Sequence, residues 1–176
     1  MASRVVARKR AVMCGIMSSV IKEGQQAPDF ELPDQAGNPV RLSSFRGRKV
    51  VLYFYPKANT PGCTVQACGV RDHEVDYEAA GAAVLGVSPD PVKAIRKFYE
   101  KQHLNFELLA DEHHEVSEAY GVWVEKSMYG KTYWGAQRST FVIDEDGVVR
   151  KVIKKAKPET HDEEVLAALG EISQAA

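Results

Sequence analysis

From Val50 to Tyr55 the chain is β-branched and aromatic without a polar interruption, the pattern of a strand buried on both faces of a sheet. The strand is expected to span Lys49 to Tyr55, and Pro56 ends it. Before it, Phe30–Leu32 and Val40–Leu42 read as two short strands around the turn-rich stretch Asp34–Pro39, a hairpin at one edge. Ser43 or Ser44 caps a short turn through Phe45, and Gly47 closes it. After Pro56, Thr60 is an N-cap residue and Pro61 stands where a missing N–H does no harm, so a helix begins at about Pro61. Val65, Val70, Val75 and Tyr77 continue this helix among polar residues until Gly81. Ala82–Ser88 is the next strand. Pro89-Asp90-Pro91 opens an amphipathic helix with Val92, Ile95, Phe98 and Tyr99 at helical spacing, and Phe106–Leu109 follows as a short strand.

Beyond Asp111 the pattern is helical to Tyr120, with Gly121 as its C-cap. Val122–Gln137 has no clear period, although it carries Trp123, Tyr129, Tyr133 and Trp134. A segment of that length without regular structure is usually functional or disordered. Ser139–Ile143 and Val148–Ile153 flank Asp144–Gly147 as a β-hairpin. A last helix from about Thr160 offers Val165, Leu166 and Leu169 to one face of the sheet. Alternating β and α elements, then a hairpin and a terminal helix, give an α/β fold with a mixed central sheet and helices on both faces.

With 176 residues, 44% of them apolar, the chain can bury one core and has no room for two ordinary domains. Its net charge of −1, with both signs interspersed, excludes a nucleic-acid footprint and a membrane-surface protein. No apolar run reaches the length of a transmembrane helix. Residues 1–20 stand apart: Arg4, Arg8, Lys9 and Arg10 occur there without an acid. The stretch is expected to be a disordered extension ahead of a domain at 21–176. A targeting segment is the alternative, disfavoured because Gly15, Ser18 and Ser19 dilute the apolar run. Cys14 lies within it and has no assigned role. Three cysteines do not make a secreted disulfide framework, and they fit a reducing compartment, hence a cytoplasmic protein.

Cys63 falls in the first turn of the helix that opens at Pro61. Unpaired N–H groups and the positive end of the helix dipole favour the thiolate, the nucleophilic form, over the thiol there. The plain alternative for any cysteine is a small buried hydrophobe. Against it stand the helix start, the hydroxyl of Thr60 three residues earlier, and Cys68 five residues later. A zinc site is not expected, because C-x4-C has no second Cys or His pair of suitable spacing. His73, His113 and His114 read as surface residues.

The run Pro56-x-x-x-Thr60-x-x-Cys63 resembles the active-site signature of the peroxiredoxins. Thr60-Pro-Gly-Cys63-Thr-x-x-Ala67-Cys68 is similar to their bacterioferritin comigratory protein, or peroxiredoxin Q, branch. The resemblance continues in order and spacing through Ala27-Pro-Asp-Phe30, Leu32-Pro-Asp34, Gly121-Val-Trp123, Gly130-Lys-x-Tyr133 and Arg138-Ser-Thr-Phe141-Val-Ile-Asp144, and covers about Ile21 to the C-terminus. It implies a thioredoxin-like fold with an additional N-terminal β-hairpin. It also implies a thiol-dependent peroxidase acting on hydrogen peroxide and organic hydroperoxides, without cofactor or metal, and recycled by thioredoxin or a similar dithiol.

For the site, the resemblance implies that the Cys63 thiolate attacks the peroxide and becomes a sulfenic acid. Cys68 then resolves it as an intramolecular disulfide. Thr60 would hold the peroxide and the sulfur through its hydroxyl, and Arg138 would stabilise the thiolate and the developing negative charge. Pro56 would shield the thiolate from water, though simple strand punctuation remains the other reading of that residue. Lys57 and Trp123 also match, with packing as their expected job. The protein is expected to act as a monomer, or at most a weak dimer. Two other classes use the same cysteines: a redox-regulated chaperone or peroxide sensor, which would turn over peroxide slowly, and a disulfide oxidoreductase, which normally carries C-x-x-C.

Helix geometry adds one expectation. Five residues of α-helix place two Cα atoms about 8.7 Å apart, whereas a disulfide needs about 4.4 to 6.8 Å. Cys63 and Cys68 therefore cannot pair until the segment between them unwinds.

Overall fold

The computed structural model describes residues 20–175. Cys14 and the rest of the expected extension up to residue 19 lie outside that range. A hairpin of β1 (Glu31–Pro33) and β2 (Pro39–Arg41) comes first, then a 3-10 turn at Leu42–Phe45 and β3 (Lys49–Phe54). α1 (Pro61–Asp72) and α2 (Glu74–Ala79) lead to β4 (Ala82–Ser88), and α3 (Val92–Lys101) leads to β5 (Glu107–Ala110). α4 (Glu115–Ala119) precedes a second hairpin, β6 (Trp123–Met128) and β7 (Lys131–Ala136). β8 (Ser139–Ile143), β9 (Val149–Lys154) and α5 (His161–Gln174) follow.

The central sheet has the order β5-β4-β3-β8-β9. β3, β4 and β5 are parallel, β8 runs antiparallel to β3, and β9 antiparallel to β8. It is a mixed sheet, and the uninterrupted apolar run of β3 follows from its central place in it. Val51, Tyr53 and Tyr55 point into one cluster with Ala67 and Val70 of α1, Phe98 of α3, and Val165 and Leu169 of α5. Val50, Leu52 and Phe54 point to the other side, into a cluster with Val116 of α4, Tyr120, Phe141, Ala27 and Phe30. Helices thus cover both faces, and beyond Lys49 at its start every position of β3 is buried and none carries a charged side chain.

Three local expectations change. The helix expected to run on to Gly81 breaks at His73, which leaves helical geometry (φ −102°, ψ 20°); its carbonyl then accepts from Asp76 and Tyr77 to start α2. The helix expected from Asp111 begins only at Glu115. His114 is left-handed there (φ 49°), and the Asp111 carboxylate accepts from the N–H groups of Val116 and Ser117. The largest change is at Val122–Gln137. This segment is an antiparallel hairpin, turned at Tyr129 (φ 51°) and Gly130 (φ 73°). Two consecutive positive φ values make the primed kind of turn whose twist suits a hairpin, a conformation glycine adopts freely and tyrosine rarely.

Candidate active site

The register of the sheet builds the site. Phe54 of β3 pairs with Ser139 of β8, so Arg138 lies level with Tyr55, where the chain leaves the sheet for Pro56 and the start of α1. The loop from Pro56 to Thr60 is pinned by Asp90, whose carboxylate accepts from the Ala58 N–H at 2.7 Å and from the Ser88 hydroxyl at 2.9 Å. Pro56 is half-buried at the head of this loop.

Thr60 occupies the N-cap of α1 with Pro61 directly after it, but its hydroxyl makes no cap hydrogen bond. It donates instead to the Lys57 carbonyl at 2.9 Å, while the Thr60 carbonyl accepts from the Thr64 N–H and hydroxyl. The cap is therefore a backbone one. Cys63 is the third residue of α1 and is 1% exposed. Its Sγ accepts from Arg138 Nη2 at 3.3 Å, and Arg138 Nη1 donates to Gln66 Oε1 at 2.5 Å. Gly62 allows this approach, since a Cβ there would sit 3.2 Å from Arg138 Nη2. Cys63, Thr60, Pro56 and Arg138 are thus gathered where β3 gives way to α1.

Cys68 is on the same helix but not in the same environment. It is half-buried, and its Sγ lies 3.6 Å from Gln102 Oε1. Arg71 holds that neighbourhood by donating to the Gln102 carbonyl at 2.5 Å. Both cysteines are free thiols.

Two buried residues beside Arg138 were not singled out from the sequence. Gln66 is fully buried and orients the guanidinium. Its spacing of three residues from Cys63 on a helix was the available signal, since such pairs share a face. His161, at the start of α5, is also fully buried, with Nε2 2.8 Å from the Thr140 hydroxyl. Burial, and secondarily the charge of Arg138, push its pKa down to about 4, so it is neutral at physiological pH. Tyr53 and Tyr55, on the same side of the sheet, have their hydroxyls held well above the usual tyrosine range, chiefly by burial. Arg138 is left as the cation that meets the sulfur. His73 contacts the Gly69 carbonyl, and His114 stacks on Trp123 at 4.2 Å. Among the described residues no three His, Cys, Asp or Glu side chains converge to hold a metal ion, and no helix is long and apolar enough to cross a membrane.

Comparison with known proteins gives the family. The AhpC/TSA family matches residues 23–152. Peroxiredoxin Bcp of Escherichia coli K12 is 51% identical over 151 residues, covering 86% of this chain and 97% of that one. Peroxiredoxin Bcp of Bacillus subtilis 168 is 45% identical over 154 residues, covering 88% and 98%. Among solved structures, the peroxidoxin BcpB of Mycobacterium tuberculosis superposes with a TM-score of 0.78 at 40% identity, over 86% of this chain and 98% of that one. A cysteine-to-serine variant of Xylella fastidiosa PrxQ gives 0.83 at 32% identity, over 88% and 99%.

Proposed function

The chain belongs to the AhpC/TSA family, in its peroxiredoxin Bcp and peroxiredoxin Q branch, and is a thiol-dependent peroxidase with a thioredoxin-like fold; from this premise we propose how its own residues divide the work. Cys63 is the nucleophile. Its thiolate attacks the terminal oxygen of a hydroperoxide and the O–O bond breaks; the attacked oxygen keeps its hydrogen and becomes the hydroxyl of a sulfenic acid, while the other oxygen takes a proton from solvent and leaves as water or an alcohol. Arg138 neutralises the thiolate before attack and the charge on the oxygens during it. Thr60 places the peroxide with its hydroxyl, and half-buried Pro56 keeps bulk water off the sulfur.

Cys68 is the resolving residue. Its thiol condenses with the sulfenic acid, releasing water and leaving a Cys63–Cys68 disulfide. An external dithiol, thioredoxin, then reduces it by two-step exchange. The protein works as a monomer, or at most a weak dimer, in the cytoplasm on hydrogen peroxide and organic hydroperoxides. The bacterioferritin comigratory protein of Xanthomonas campestris, 37% identical with a TM-score of 0.78, has alkyl peroxide reduction activity, which supports the organic substrates.

The observation that carries this reading is the contact of Arg138 with a buried cysteine in the first turn of a helix. Intact mass and peroxide consumption test it. Cys63→Ser should consume none, whereas Cys68→Ser should consume about one peroxide per chain and then stall as a sulfenic or sulfinic acid. Equal loss in both variants at the first turnover would reject the division of roles.

A further inference from the structure

The β6–β7 hairpin carries a lysine that turns back onto its own strands. Lys126 pairs with Tyr133, so Val124, Lys126 and Met128 share a face with Lys131, Tyr133 and Gly135. The Lys126 stem crosses Gly135: a Cβ at that glycine would touch Lys126 Cδ at 3.6 Å and Cε at 3.7 Å. Its ammonium then donates to the carbonyl of Ala136, the one hydrogen bond it makes among the described residues. A lysine on an exposed hairpin ordinarily keeps its rotamer freedom and its hydration. This one is half-buried and gives up part of both.

What it holds is the approach to the active site. Ala136 is fully buried, and the Gln137 N–H donates to the Val122 carbonyl at 2.7 Å. The Arg138 carbonyl accepts from Ala156 at 3.0 Å, and its side chain reaches Cys63. The chain changes sheet between Ala136 and Ser139, leaving the hairpin for the central sheet, and the Lys126 bond fastens the hairpin side of that change. We propose that Lys126 is a positioning residue for the peroxidase reaction: by fixing the Ala136 carbonyl it sets the direction in which Arg138 leaves the backbone and so keeps Nη2 on the Cys63 sulfur. This rests on the reading of Arg138 as the thiolate's partner. The arrangement has an electrostatic cost, because burial and then the nearby charge of Arg138 hold the ammonium below the usual lysine range, with the charge of Cys63 opposing. A cation kept next to another cation points to a structural demand at that carbonyl.

The test uses Lys126→Met, which keeps the stem over Gly135 and removes the donor, and Lys126→Arg, which restores a donor. Lys126→Gln gives a second reading should the methionine variant not fold. Lys126→Met should slow oxidation of Cys63 by peroxide about ten- to hundredfold, as sub-ångström to ångström misplacement of a catalytic group does, and should move the alkylation profile of Cys63 to higher pH. Lys126→Arg should recover most of the rate. In an Arg138→Ala background, Lys126→Met should change nothing further. A wild-type rate and profile in Lys126→Met beside a slow Arg138→Ala would overturn the positioning role and leave the reading of Arg138 standing. A wild-type rate in Arg138→Ala would overturn that reading itself. An undiminished further loss in the double variant would show that Lys126 acts independently of Arg138, which also contradicts the proposal.

Discussion

Arg138 Nη2 stands 3.3 Å from Cys63 Sγ, across 75 positions of sequence. Pairing of Phe54 with Ser139 brings them together, because it sets the start of β8 beside the end of β3, from which the chain runs to Cys63. A positive charge at this distance favours the thiolate, and its loss removes both that preference and a donor for the transition state. Arg138→Ala should therefore lower the second-order rate constant with hydrogen peroxide by about 10²- to 10³-fold and shift alkylation of Cys63 to higher pH, with little change in melting temperature. Stopped-flow kinetics and a labelling profile check this, and unchanged values for both would remove Arg138 from the site.

The strand at Lys49, the helix start at Pro61 and the place of Arg138 before an apolar strand were legible because each is a local signal: an unbroken apolar run, a Thr-Pro boundary, a family motif. The hairpin at Trp123–Ala136 was not. Its turn is Tyr129-Gly130 rather than Asn-Gly, and Trp134 and Tyr133 lie on opposite faces yet are both exposed, so no alternation betrays a buried side. Gln66 was missed because a glutamine on a helix reads as solvated until Arg138 is placed above it. His161 was missed because nothing near it in sequence announces full burial.

His161 makes the fold sensitive to acid. Its folded pKa is about 4, against about 6.5 in an unfolded chain, so below pH 6.5 the unfolded state binds the proton first. Stability that is complete above about pH 6.5 is lost as pH falls toward 4, by about 3 kcal/mol in total, and then levels off. Asp162, raised by burial, works in the opposite sense at the acid end, so the comparison is with a variant. Urea midpoints between pH 7 and 4 should fall more steeply in the wild type than in His161→Gln. Parallel slopes would mean that His161 is not held neutral by the fold.

Val65 lies between the two cysteines on α1, 47% exposed. Val65→Ala should stabilise the helix by about 0.5 kcal/mol without touching Cys63. If resolution requires unwinding, this change should slow disulfide formation about twofold and raise the fraction of Cys63 overoxidised at high peroxide, measured by intact mass. Faster resolution would contradict a helix that must open.

The most direct test of the central claim is hydrogen exchange over the segment between the cysteines. In the reduced protein α1 is continuous from Pro61 to Asp72 with both thiols free, and an intact helix keeps Cys63 and Cys68 about 8.7 Å apart at Cα, beyond disulfide reach. Peroxide-treated protein, with the Cys63–Cys68 bridge verified by mass, should lose amide protection across Thr64–Val70 while β3 and β8 keep theirs. Equal protection of Thr64–Val70 in the reduced and bridged forms would contradict the account.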